Sequence, residues 1–258
     1  HLRDKLLLEH KLRSNLVQTK KQNEPKDILN GCNEIAANFA DFKPTQKGQK
    51  LTKLASDKDI SFEIYFSSSM RNYAGSVSIL PQVAIYCKRL KKLMQEELFY
   101  STDLVFVSHL GYLTPRRQFR DWQLAGASFE PSVREISAAI KDCALPIFEL
   151  FKDKQKAVEF MTQRGAKFNK NLSAFDLCPI YFVYYFGGKD AAEAFFNVCL
   201  SDCTYKGRFY KLYEELTNGA EVIDYGIRSA SCTYWQSNQL SFSMSSGNDF
   251  FVRPFIKF

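Results

Sequence analysis

Ile60-Ser61-Phe62-Glu63-Ile64-Tyr65-Phe66-Ser67 is the stretch that decides the fold class. Ile60, Phe62, Ile64 and Phe66 fall on one side of an extended chain, and Ser61, Glu63, Tyr65 and Ser67 on the other. That is a period of two, the pattern of a strand with one face in a core and one toward solvent.

Reading outward, more strands are expected at Gln49–Leu54, Ser76–Ile79, Gln82–Cys87, Asp103–Leu110 and Gln118–Leu124, with Pro81 forcing an edge or a bend. A helix is expected at Lys88–Leu98. Before the strands, Leu8, Leu12 and Leu16 recur every fourth residue, which predicts an amphipathic helix over 2–22. A second helix is expected over Pro25–Phe39, with proline in its first turn. After the strands, Val133, Ile136, Ala139, Ile140 and Cys143 form a helical stripe following Pro131, with Ser132 and Glu135 spaced for a capping box. Pro146 implies a kink. Asp153 is placed to cap a helix that Gly165 ends. Beyond Ala166, Asp176–Phe186 is an apolar, aromatic stretch that Gly187-Gly188 breaks, helices are expected over Asp190–Leu200 and Lys206–Leu216, and short strands in the last forty residues.

The expected fold is α+β: an antiparallel sheet with helices packed on one face, plus a mainly helical C-terminal portion. Residues 1–165 are read as one domain and 166–258 as a second portion packed on it.

Composition narrows the class. The 258 residues are 45% hydrophobic and 24% charged, with 23 Phe and 13 Tyr, which argues against long-range disorder. No apolar run approaches the ~18 residues of a membrane-spanning helix. Residues 1–22, interrupted by charges, do not read as a secretory signal. The net charge is +7, and residues 1–58 hold 12 Lys/Arg against 7 Asp/Glu. A basic segment of this kind can steer toward nucleic acid, anionic lipid or acidic protein, and solubility accounts for it equally well. The seven cysteines are odd in number and lie mostly among apolar residues. That pattern predicts buried free thiols and a reducing, cytoplasmic location. Cys199 and Cys203 share a helical spacing but do not amount to a zinc site.

Motifs for chemistry are sparse, and no cofactor is expected. Gly187-Gly188-Lys189 lacks the spaced glycine and the Ser/Thr of a phosphate loop and reads as a helix break. Ser67-Ser68-Ser69 lacks a nucleophile-elbow context. With three histidines in the chain, His109 near Asp103 is the candidate for acid–base work, and a turn histidine is the simpler account. Lys88-Arg89-Leu90-Lys91-Lys92 places cations at a helix start, against the dipole. Arg116-Arg117-Gln118-Phe119-Arg120-Asp121-Trp122 mixes arginines with aromatics. That mix suits a protein interface, phosphate clamping with base stacking, or a solvated strand over a half-buried Trp. The aromatics Tyr181, Phe182, Tyr184, Tyr185, Phe186, Phe195 and Phe196 read as core between helices or as the lining of a groove.

Three segments carry a family resemblance. They are Ala40-Asp41-Phe42-Lys43-Pro44, the strand Phe62–Ser69 followed by Arg71-Asn72-Tyr73, and Arg134-Glu135-Ile136 with Ala144-Leu145-Pro146-Ile147-Phe148. Their order resembles a bacterial domain-of-unknown-function family with a helix, a Gly-Phe-Lys-like turn, antiparallel strands and a terminal Leu-Pro-Phe-Phe helix. The resemblance spans residues 26–165. Asp41 stands where glycine is expected, and Asp tolerates a left-handed turn. The resemblance implies a small α+β module without an established catalytic centre, and similar bacterial proteins are suspected to be immunity proteins of secreted toxins. The expected function is therefore non-catalytic binding of a protein, such as a toxin domain, through Arg116, Arg117, Arg120 and Trp122. A nucleic-acid-binding module using the basic N-terminus and Arg116–Arg120, and an enzyme using His109, are the alternatives.

Overall fold

The computed structural model describes residues 26–69, 72–73, 76–97, 102–202, 240–244 and 250–254. The helices expected over 2–22 and Lys206–Leu216 lie outside them. A helix α1 (residues 26–37) is followed by β1 (Lys43–Thr45), β2 (Lys50–Leu54), β3 (Ile60–Ser68), β4 (Ser78–Cys87), α2 (Lys88–Glu97), β5 (Leu104–His109), α3 (Leu110–Leu113) and β6 (Trp122–Gln123). Then come α4 (Phe129–Ala139), a π turn (Ile140–Ala144), α5 (Leu145–Phe151), α6 (Lys154–Arg164), α7 (Ile180–Ser201), β7 (Leu240–Met244) and β8 (Phe250–Pro254). The fold is α+β: a six-stranded antiparallel sheet in the order β1-β2-β3-β4-β5, with β6 also on β4, and a helical C-terminal portion. β7 and β8 form their own antiparallel ladder, Phe242 opposite Val252.

β3 keeps the expected alternation. Ile60, Phe62, Ile64 and Phe66 are buried, and period-two patterning turns them to one side. Its other face is covered too, since Ser61 and Glu63 are buried. Glu63 is satisfied there by Lys50 of β2, 2.9 Å away, and by the Tyr65 hydroxyl, which donates to it. A buried carboxylate needs such partners.

Pro81 departs from expectation, because β4 runs through it in the middle of the sheet. Proline lacks the N–H a ladder needs. On that side of β4 the partner changes around Pro81: Ser78 and Ile79 pair β6, and the Cys87 N–H at the far end donates to the Asp103 carbonyl beside β5.

The described residues divide into two compact units, neither of them one continuous stretch. The first holds the described residues up to Lys53, Phe62–Val83 and Ser108–Leu145; the second holds Leu54–Ser61, Ala84–Val107 and the described residues from Pro146 on. In the first, α1 buries Ile28, Cys32 and Ile35, and Gly31 lies so close to Leu124 that a Cβ would meet its Cδ1 at 2.7 Å. In the second, Phe106 of β5 and Phe151 of α5 both meet Phe168, with centroids 5.0 and 5.2 Å away, and Phe182 of α7 joins Phe151.

Three local expectations need correction. Asp41 does not take the left-handed turn; Gln46 and Lys47 do, at φ 49° and 57°, and Asp41 instead pairs with Lys53 at 3.0 Å. Helix α4 starts at Phe129, so Pro131 lies in its first turn and Ser132 is already helical, with no role as a cap. Trp122 and Gln123 alone remain of the strand expected over Gln118–Leu124. Pro146 does disturb its helix: the Leu145 N–H donates to the Ile140 carbonyl, five residues back, in a π turn that ends just before the proline. Asp153 caps α6 by accepting from the Gln155 and Lys156 N–H groups.

Gly187 and Gly188 interrupt α7 as expected. Gly188 sits at φ 83°, ψ 179°, a conformation open to glycine alone. Gly187 is held by space, because a Cβ there would meet Val158 Cγ1 of α6 at 2.5 Å and Ala191 Cβ at 2.8 Å.

Candidate functional site

The end of β5 delivers the chain to an exposed aromatic surface. Leu110 and Leu113 of α3 are buried, which turns Tyr112 outward, 41% exposed. The chain then folds back over α3. The Arg117 N–H donates to the Thr114 carbonyl at 3.0 Å, and Arg117 itself takes φ 49°. A Cβ on Gly111 would meet the Gln118 carbonyl oxygen at 2.4 Å, so glycine is what allows the returning backbone this close. The turn leaves Arg116, Arg117 and Gln118 exposed and presents Phe119 with 54% of its surface open.

His109 is the hinge of this surface. Its ring is half-buried, edge-on to Phe119 at 5.0 Å and to Tyr112 at 6.2 Å, and the Gln82 amide lies 3.3 Å from its Nδ1. Burial pushes its pKa below the ordinary histidine value, which favours the neutral ring. The acid–base pair with Asp103 is not assembled. Asp103 precedes β5 and His109 ends it, so the strand separates them by roughly 20 Å at ~3.3 Å per residue.

Arg120 and Trp122 have other occupations. Arg120 donates from both Nη atoms to the two carboxylate oxygens of Glu135 on α4, the Nη2–Oε2 bond being 2.6 Å. Its guanidinium lies over the Trp122 ring, 4.9 Å from the centroid. Trp122 is 1% exposed, so it is not the surface anchor expected from sequence. Its position in β6, opposite Ile79 of β4, puts the indole into the core beneath the arginine. Its Nε1–H has no hydrogen-bond partner among the described residues. Of the four expected anchors, the fold thus exposes Arg116 and Arg117, pairs Arg120 and buries Trp122. It adds Tyr112 and Phe119, whose exposure no spacing in the sequence reveals.

The second unit holds another charged cluster. Lys154, the first residue of α6, lies 2.6 Å from Asp57 and 2.6 Å from Asp59 and over the Phe186 ring at 5.5 Å. Asp59 also accepts from the Arg89 N–H at 2.7 Å, which puts an anion at the start of α2 where Lys88–Lys92 crowd the dipole with cations. The Lys154 hydrogen bond, then the Asp59 N–H, hold the Asp57 carboxyl below its ordinary pKa. Burial works against the Lys154 charge, but hydrogen bonds and attraction from Asp57 and Asp59 outweigh it and raise its pKa.

Four of the thiols among the described residues are poorly placed as nucleophiles. Cys32, Cys87, Cys178 and Cys199 are buried and free, and burial pushes Cys32, Cys87 and Cys199 up to about 12. Cys203, the other half of the helical cysteine pair, lies outside the described residues. Among the described residues there is no cluster of metal-ligating groups, and no helix is long and apolar enough to cross a membrane. The aromatic run of α7 divides: Tyr181, Phe182, Phe195 and Phe196 are core, and Tyr184, Tyr185 and Phe186 are half-buried. No family model, curated protein or solved structure matches the chain.

Proposed function

We propose that this chain works by stoichiometric binding of another protein through the surface formed by Tyr112, Arg116 and Phe119. The observation that supports it is the exposure of two large aromatic rings against half-buried His109, beside an arginine with no ion-pair partner among the described residues. Exposed aromatics backed by a fixed element, with arginine alongside, are what anchor protein interfaces. Single exposed apolar residues need no explanation, but two exposed rings that both lie edge-on to one histidine form a patch.

In its sharper form the reading is a cytoplasmic bacterial immunity protein that covers the active surface of a toxin. That form rests on the family resemblance. The test is to recover the tagged chain from its native cells at moderate salt and to identify stoichiometric partners by mass spectrometry. Phe119→Ala with Arg116→Ala is expected to lose such a partner while the melting temperature stays put. A partner retained at full stoichiometry overturns the assignment of this surface.

A further inference from the structure

We infer that Glu135 is a specificity-determining residue: it occupies the guanidinium of Arg120 and so withholds it from phosphate groups, which keeps an arginine–aromatic surface from binding single-stranded nucleic acid. This rests on the protein-binding reading.

The loop contains nearly everything a single-strand binder uses. Tyr112 and Phe119 present open rings on which bases could stack, and Arg116, Arg117 and Arg120 fall within five residues of one another on a chain of net charge +7. Arg120 is the best prepared of the three. Its guanidinium lies over the ring of a buried tryptophan, 4.9 Å from the centroid, and the planar fork loses little freedom per bond when it binds. A planar fork of this kind takes a carboxylate or a phosphate by the same two parallel bonds, and it takes one of them at a time. Glu135 makes both bonds from α4. It removes the arginine as a donor and places a negative charge where a phosphate would approach.

Glu135 does not seal the arginine from water. The pair is partly open to water, with 27% of the Arg120 side chain and 42% of the Glu135 side chain exposed. Partly exposed pairs contribute modestly to stability, bidentate ones the most, so this geometry serves the choice of partners as well as the joining of Arg120 to α4.

The test uses the full chain and a fluorescein-labelled 15-mer of deoxythymidine, read by fluorescence anisotropy across a salt series. Wild type is expected to bind weakly. Glu135→Gln keeps the volume, releases the guanidinium, and is expected to bind about tenfold tighter. Its log–log salt slope should steepen by about 0.7, the signature of one added phosphate contact on a single strand. Glu130→Gln, the same change of charge five residues earlier on α4, should leave affinity within about twofold. Adding Arg120→Gln to Glu135→Gln should return the affinity to the wild-type level.

No gain in Glu135→Gln, or an equal gain in Glu130→Gln, overturns the inference and leaves the protein-binding reading standing. So does a gain that survives the loss of Arg120. Arg120→Gln in the wild-type background is a check independent of whether Glu135→Gln folds. Because that variant also uncovers the Glu135 carboxylate, a loss of oligonucleotide binding beyond about twofold is what marks Arg120 as already touching phosphate, and the inference then fails. Tight, steeply salt-dependent binding by wild type itself overturns the protein-binding reading.

Discussion

Arg120 and Lys154 sit in settings that look alike and serve different ends. Each is a cation over an aromatic ring, bonded to carboxylate on a different element. Arg120 has one carboxylate partner, half in water, next to exposed Phe119. Lys154 has two, and one of them, Asp59, is also committed to the backbone at the start of α2. The first pair borders a surface that faces outward. The second ties the turn between β2 and β3 to the start of α6, and its bonds are used up internally. A charged cluster alone therefore says little about function. What decides is whether its neighbours are open rings or backbone groups already in use.

That contrast can be broken experimentally, and the largest effect is expected where the surface reading was least visible. Trp122→Ala should destabilise the protein by about 3–5 kcal/mol in urea denaturation, as for a buried aromatic. Trp122→Phe should cost clearly less, since it keeps a ring and discards an indole N–H that has no described partner. A cost near zero for alanine would mean the ring is not part of the core.

Lys154→Met should follow at about 2 kcal/mol, because Asp57 and Asp59 lose a shared cation. A neutral outcome would erase the distinction between the two clusters. The pH dependence sharpens it further. Asp57 is depressed, so its contribution is present above the ordinary carboxyl pKa and is lost as pH falls through the lower folded value. Lys154 is raised, so its contribution is present below the ordinary lysine pKa and is lost as pH rises through the higher folded value. The stability gap between wild type and Lys154→Met should thus be flat from roughly pH 5 to 10 and close at both ends. A gap unchanged at pH 2 would contradict it. The smallest effect belongs to Arg116→Ala, which should move stability by less than about 0.5 kcal/mol while weakening partner capture. A larger loss would place Arg116 in the fold.

The fold was legible where a local pattern is enough. The alternation in β3, the Asp153 cap and the Gly188 break depend on near neighbours in the chain, and each appears at the expected place. The polar face of β3 was harder, since Ser61 and Glu63 look solvent-facing until Lys50 is brought across from the next strand. The start of α4 was misplaced because Pro131 resembles a boundary and is in fact a first-turn residue. At the candidate site, the Arg–aromatic run was visible, but which of its members face outward was not. Burial of Trp122 follows from two residues of pairing with β4, and the engagement of Arg120 from a glutamate on another element. The Lys154–Asp57 contact joins residues 97 apart, and neither residue carries a sign of the other.

The two adjacent glycines of α7 should behave differently under genetic repair. An alanine at 187 collides with Val158 and Ala191, so shortening those two side chains makes room for it, and compensating changes can be selected there. An alanine at 188 meets nothing within 4 Å. Its fault is handedness of the backbone, which no neighbour can relieve, so a suppressor screen should return second-site revertants for position 187 and true revertants alone for position 188.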